Sequence, residues 1–153
     1  MASSATKANA MSWMITDQSQ LSGTCYIEVL PGKYENQCWN PESVYFEEEH
    51  FGFIEPTIVR HCPEHDHYAF TNISRLKWQA IVADLERFAN MIGDETRPSN
   101  IEGQVGLFFA TTKQSFLRSD EENMAELRAM LIEFISWIRK MLDSHDTIAV
   151  LGM

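Results

Sequence analysis

Residues 61 to 67, His61-Cys62-Pro63-Glu64-His65-Asp66-His67, place three imidazoles, a thiol and two carboxylates in seven positions. Imidazole and thiolate are the preferred donors to zinc, and His65 and His67, two apart, can chelate from one extended strand or turn. Cys38 and His50 lie upstream as sources of a further ligand. No CxxC or HExxH spacing accompanies them, so two alternatives stand. One is zinc held by His61, Cys62, His65 and His67. The other is a polar loop entering a strand at Tyr68-Ala69-Phe70, with Cys62 as a small buried hydrophobe and no cofactor at all.

The same heptad closes a wider acidic patch. Between residues 42 and 67 seven acids, Glu42, Glu47, Glu48, Glu49, Glu55, Glu64 and Asp66, face one base, Arg60, and four of the five histidines fall there too. Glu47-Glu48-Glu49 follows Val44-Tyr45-Phe46 and precedes Phe51. That mixture suits a protein interface, where aromatics supply buried area and carboxylates meet arginine or lysine, and its bland counterpart is a solvated strand end. Trp39, between Cys38 and Asn40-Pro41, is the tryptophan expected to be exposed and to anchor a partner. The expected contact set is Trp39, Glu42, Tyr45, Glu47, Glu48, Glu49, Glu64 and Asp66. Carboxylates acting as acid and base would need a pocket that pushes their pKa values apart, which a surface run does not offer. GxSxG, P-loop and GxGxxG signatures are absent, so no catalytic residue is expected and the chain reads as a binder of a basic partner, with a metal-dependent enzyme or metal-binding protein using His61, Cys62, His65 and His67 as the alternative.

Composition narrows the partner. Twelve Lys+Arg against 22 Asp+Glu give a net charge of -10, which repels nucleic-acid phosphates and anionic lipid and favours basic proteins or metal ions. At 153 residues and 44% hydrophobic, the chain has apolar material for one core and length for one domain. Cys25, Cys38 and Cys62 are odd in number and widely spaced, which suits reduced thiols in the cytoplasm. Residues 1 to 10 have no apolar run behind their single lysine and read as a disordered leader, native or added for expression, ahead of a domain over 11 to 153. No stretch reaches the roughly 18 apolar residues that a membrane-spanning helix needs.

These side chains must be positioned by a small set of elements. Ser74 can cap a helix in which Trp78, Ile81, Val82, Leu85, Phe88, Ala89 and Ile92 recur at three- and four-residue steps before Gly93. Ser119-Asp120-Glu121-Glu122 is a capping-box pattern opening a second helix, with Met124, Leu127, Leu131, Phe134, Ile138 and Met141 as its buried stripe and Arg139-Lys140 suited to its C-terminal dipole. Trp78 and Trp137 are expected to pack within these stripes. Residues 12–16, 24–29, 43–46 and 106–110 read as strands, and Thr147 to Gly152 as a short strand after the last helix. Gly93 to Asn100 reads as a long surface loop. The order gives an α+β domain, a mostly antiparallel sheet packed with two main amphipathic helices.

In layout the chain resembles bacterial immunity proteins, the small cytoplasmic partners of polymorphic or contact-dependent growth-inhibition toxins. The resemblance rests on the opening Ser12-Trp13-Met14-Ile15, the acidic aromatic centre Tyr45-Phe46-Glu47-Glu48-Glu49, and the ending from Phe134-Ile135-Ser136-Trp137-Ile138 through His145-Asp146-Thr147 to Ile148-Ala149-Val150-Leu151-Gly152. It implies a stoichiometric inhibitor that covers the active site, or an adjacent surface, of a cognate toxin domain, commonly a basic nuclease. It also implies that the chain performs no reaction. The histidine cluster lies outside what the resemblance explains.

Overall fold

β1 (Tyr26–Pro31) holds one charged residue, Glu28, among apolar ones, and every residue from Ile27 to Pro31 is buried. A strand buried on both faces must lie inside a sheet that is covered on each side. The computed structural model, which describes residues 13–21, 26–66, 68–93 and 120–152, places it there. β1 pairs antiparallel with β2 (Val44–Glu47) and with β4 (Thr147–Leu151), and β3 (Phe70–Ser74) pairs antiparallel with β4. The sheet order is β2-β1-β4-β3. The C-terminal strand expected from the sequence is thus a central strand.

Among the described residues, four α-helices complete an α+β domain: α1 (Glu48–Phe51), α2 (Glu55–His61), α3 (Arg75–Gly93) and α4 (Asp120–Leu142). One sheet face turns Ile27, Val29, Val44, Phe46, Ile73, Ile148 and Val150 towards the helices in a single apolar cluster with Trp78, Ile81, Leu85, Leu127, Leu131, Phe134 and Ile138. Phe134 sits at its centre, edge-on to Phe46 at 5.1 Å and to Trp78 at 6.1 Å between ring centroids. The buried indole of Trp78 donates to the Ile148 carbonyl at 3.0 Å, so its one polar atom is satisfied.

The other face carries Leu30, Ala149 and Leu151, packed under Tyr34 and Cys38 of the segment that joins β1 to β2. That segment leaves β1 through Gly32, whose φ of +89° lies in the left-handed region that a side chain disfavours. It is a single layer of coil, held by hydrogen bonds rather than by a second set of helices.

Both long helices fall where their apolar periodicity puts them, and Trp78 and Trp137 pack against the core. Cys62 is fully buried, and Cys38 and Cys62 are free thiols. The strand expected over 12–16 is a correction: of its described residues, 13–16, Ile15 alone makes a β-bridge, to Tyr45. α1 and α2 have no counterpart among the elements expected from the sequence. Residues 1 to 10, the strand expected over 106–110, the loop after Gly93, the Ser119 cap and His67 lie outside the described residues. Among the described residues, no helix is long and apolar enough to cross a membrane.

Candidate functional site

Glu28 organises the coil-covered face. Its carboxylate is buried and accepts three hydrogen bonds, from Trp39 N at 2.8 Å, Asn40 N at 3.0 Å and Ser43 Oγ at 2.6 Å. A buried carboxylate satisfied in this way holds its donors firmly, because releasing any of them leaves charge uncompensated. The result is that Trp39 sits at φ +64° and is 46% exposed. A left-handed backbone at a bulky residue costs roughly 1 to 3 kcal/mol and persists only where neighbours enforce it. Its ring stacks on buried Tyr45, 5.5 Å between centroids. Tyr45 in turn donates to the Asn40 carbonyl and accepts from Gln18, and burial with the nearby Glu28 charge pushes its phenol up to about 12.

The acids of the patch divide around this tryptophan. Glu42, Glu47 and Glu49 are exposed and Glu48 is half-buried. Tyr45 and Glu47 share one face of β2, the face on which Trp39 lies. Asp66 is exposed and accepts from Tyr68 N at 2.9 Å. Glu64 is engaged: Lys77 donates to it at 2.8 Å, which draws its carboxyl down to about 2. Glu55 leaves the surface altogether.

Glu55 is paired inside the protein with His65, Oε2 to Nε2 at 2.6 Å, and both side chains are 1% exposed. His65 Nδ1 lies 3.2 Å from Thr71 Oγ1. Carboxylate, imidazole and hydroxyl in this order have the connectivity of a nucleophilic triad. Glu55 and His65 are buried and Thr71 is half-buried. Neither cleft on the helix-pair surface, of about 310 and 470 Å³ and lined between α3 and α4, includes any of the three. The trio ties α2 to β3.

The other metal-capable residues point elsewhere. His61 Nε2 meets Asp84 Oδ2 at 2.5 Å across to α3, and Arg60 and Arg87 bind the same carboxylate. Asp84 is therefore already matched by two guanidiniums, and burial together with Arg60 and Arg87 holds His61 below its ordinary pKa. Cys62 faces the core, where burial and its contact with Glu64 raise the thiol to about 11. His50 lies flat on Trp13 at 4.0 Å, and its Nδ1 is buried without a hydrogen-bond partner. Among the described residues, no three His, Cys, Asp or Glu side chains are grouped to hold a metal ion.

Sequence reasoning passed over Glu28 and Asp84. The signal for Glu28 was present in Tyr26-Ile27-Glu28-Val29, one acid within an otherwise apolar strand. Asp84 is an interior position of a helix whose charge could as well have faced water. No family model, curated protein or solved structure matches the chain. The fold and the Trp39 surface must speak for themselves.

Proposed function

We propose that this chain is an immunity-type protein that binds and neutralises a cognate toxin domain of basic charge, using Trp39 as anchor and Glu42, Glu47, Glu48 and Glu49 around it. The observation that carries the reading is the presentation of Trp39. A buried carboxylate, a stacked tyrosine and a strained backbone together hold a large aromatic ring out in water beside exposed acids. Packing within the fold does not require that ring to be outside, and interfaces concentrate their energy in aromatic anchors of this kind. The net charge of -10 steers such a surface to a positive cleft and raises the association rate more than the final affinity.

The test measures binding of the purified chain to the product of the neighbouring gene across a salt series. Replacing Glu47, Glu48 and Glu49 together by lysine should slow association and flatten its salt dependence, with the melting temperature unchanged. Trp39→Ala should act on dissociation instead, costing about 2 kcal/mol or more, roughly thirtyfold in affinity. Equal rates for parent and both variants would remove this surface from the interface.

A further inference from the structure

We infer that residues 13–21 form a strap that holds the Trp39 anchor in place, with Gln18 as its positioning residue. The inference rests on Trp39 being the anchor for a basic partner, and it adds the device that keeps the ring presented.

Gln18 is exposed, yet its side chain engages two residues distant in the chain. Its Nε2 donates to the Trp39 carbonyl at 2.8 Å and to the Tyr45 hydroxyl at 3.0 Å. A side-chain amide has two N–H donors, and here both go to the anchor pair, the tryptophan and the ring it stacks on. The Trp39 carbonyl can only accept, and the Tyr45 hydroxyl gives its own hydrogen to the Asn40 carbonyl, so the amide must turn its nitrogen to both. Trp39 is thereby held on each side of its left-handed backbone: Glu28 accepts from its N at 2.8 Å and Gln18 donates to its O. A bulky residue at φ +64° needs both flanking peptides fixed, because rotation of either returns the backbone to an ordinary region and swings the ring away.

The other end of the strap is fastened by apolar packing. Trp13 and Met14 are half-buried against the core, with Trp13 flat on His50 and 6.2 Å from Phe53 between ring centroids. Ile15 then exchanges backbone bonds with Tyr45, N to O at 2.8 Å in each direction, which sets the strap in register beside β2. Asp17 turns the chain: its carboxylate accepts from Ser19 N at 2.9 Å and Ser19 Oγ at 2.8 Å and opens the 3₁₀ turn Gln18–Gln20. That turn brings Gln18, three residues beyond the bridge, within reach of the Tyr45 hydroxyl. Residues 16–20 are exposed, so this part of the strap adds little buried area to the fold. Its bonds to Trp39 and Tyr45 are what it contributes.

Gln18→Met keeps the length of the side chain and removes both donors. Amide hydrogen exchange, followed on the full chain without a partner, should be about tenfold faster at Trp39 and Asn40 in this variant, with exchange in β4 and the melting temperature nearly unchanged. Trp13→Ala, which loosens the other end of the strap, should reproduce the faster exchange. In binding to the product of the neighbouring gene, Gln18→Met should leave association unchanged, since no charge is altered, and quicken dissociation about fivefold. In a Trp39→Ala background it should add nothing, because a positioning residue acts only through the group it positions. If either variant leaves exchange at residues 39 and 40 as it is in the parent, the strap does not hold the anchor. Equal effects of Gln18→Met on dissociation with and without Trp39 would also overturn the proposal, making Gln18 itself a contact. Faster exchange together with binding that ignores Trp39→Ala would support the strap and reject Trp39 as the anchor.

Discussion

Residues 42 to 50 and residues 55 to 66 carry the same kinds of side chain, yet the fold uses them in opposite ways. The first stretch leaves Glu42, Glu47 and Glu49 in water around Trp39. The second ties its charges into the protein, Glu55 to His65, His61 and Arg60 to Asp84, and Glu64 to Lys77. The difference follows from position. Glu42 and Glu47 flank an outer strand on the coil-covered side, while α2 and the turn after it are pressed between α3 and β3. Charge density in the sequence therefore marks two things at once, a surface and a set of fastenings, and only packing separates them.

The second stretch can be broken most severely at its buried pair. His65→Ala removes the imidazole that the buried Glu55 carboxylate meets at 2.6 Å, which costs about 3 to 5 kcal/mol. Urea unfolding should show this as a lower midpoint with little change in slope. Replacing both residues with apolar ones of similar volume should restore most of the loss, because the buried carboxylate is then gone. A single-variant loss below about 1 kcal/mol would mean that the pair does not fasten α2 to β3.

His50 gives the first stretch a pH dependence of its own. Burial lowers its pKa from 6.5 to about 4, so the folded state holds neutral imidazole. As pH falls the unfolded chain takes up this proton first. Stability from His50 is therefore complete above pH 6.5, declines between 6.5 and about 4, and has lost about 2 kcal/mol at pH 5. His50→Phe keeps a ring against Trp13 and removes the titrating group. Unfolding at pH 7 and pH 5 should show a smaller drop in the variant than in the parent, by about that amount. Equal drops would place His50 in contact with water.

Much of the architecture was legible because it is written in local pattern. The three- and four-residue spacing from Trp78 to Ala89 and from Met124 to Met141 is the buried face of α3 and α4, and the apolar run Ile148 to Leu151 is a strand. What was not legible depends on distant partners. Nothing near Glu55 in sequence indicates a histidine ten residues on and a threonine in the next strand. The exposed Trp39 was legible from its turn-like surroundings; the carboxylate that holds it is eleven residues upstream. His61, Cys62 and His65 are neighbours in the chain, but α2 ends between them and turns each to a different partner.

The smallest expected effect sharpens the comparison most finely. Glu64 belongs to the second stretch by its ion pair with Lys77 yet remains on the surface, where such pairs add little to stability. Its carboxyl is held near 2 by that lysine, so the small stabilisation it provides is present above about pH 4.5 and is lost as pH falls towards 2. Lys77→Met should leave the melting temperature at neutral pH nearly unchanged and return the Glu64 carboxyl, followed by NMR titration, towards its ordinary value. It should also free one negative charge. If the surface around residues 42 to 67 recognises a basic partner, this variant should associate slightly faster than the parent at low salt, the reverse of the lysine substitutions at Glu47 to Glu49. A slower rate would instead make Lys77 itself a contact and give the partner an acidic patch facing α3.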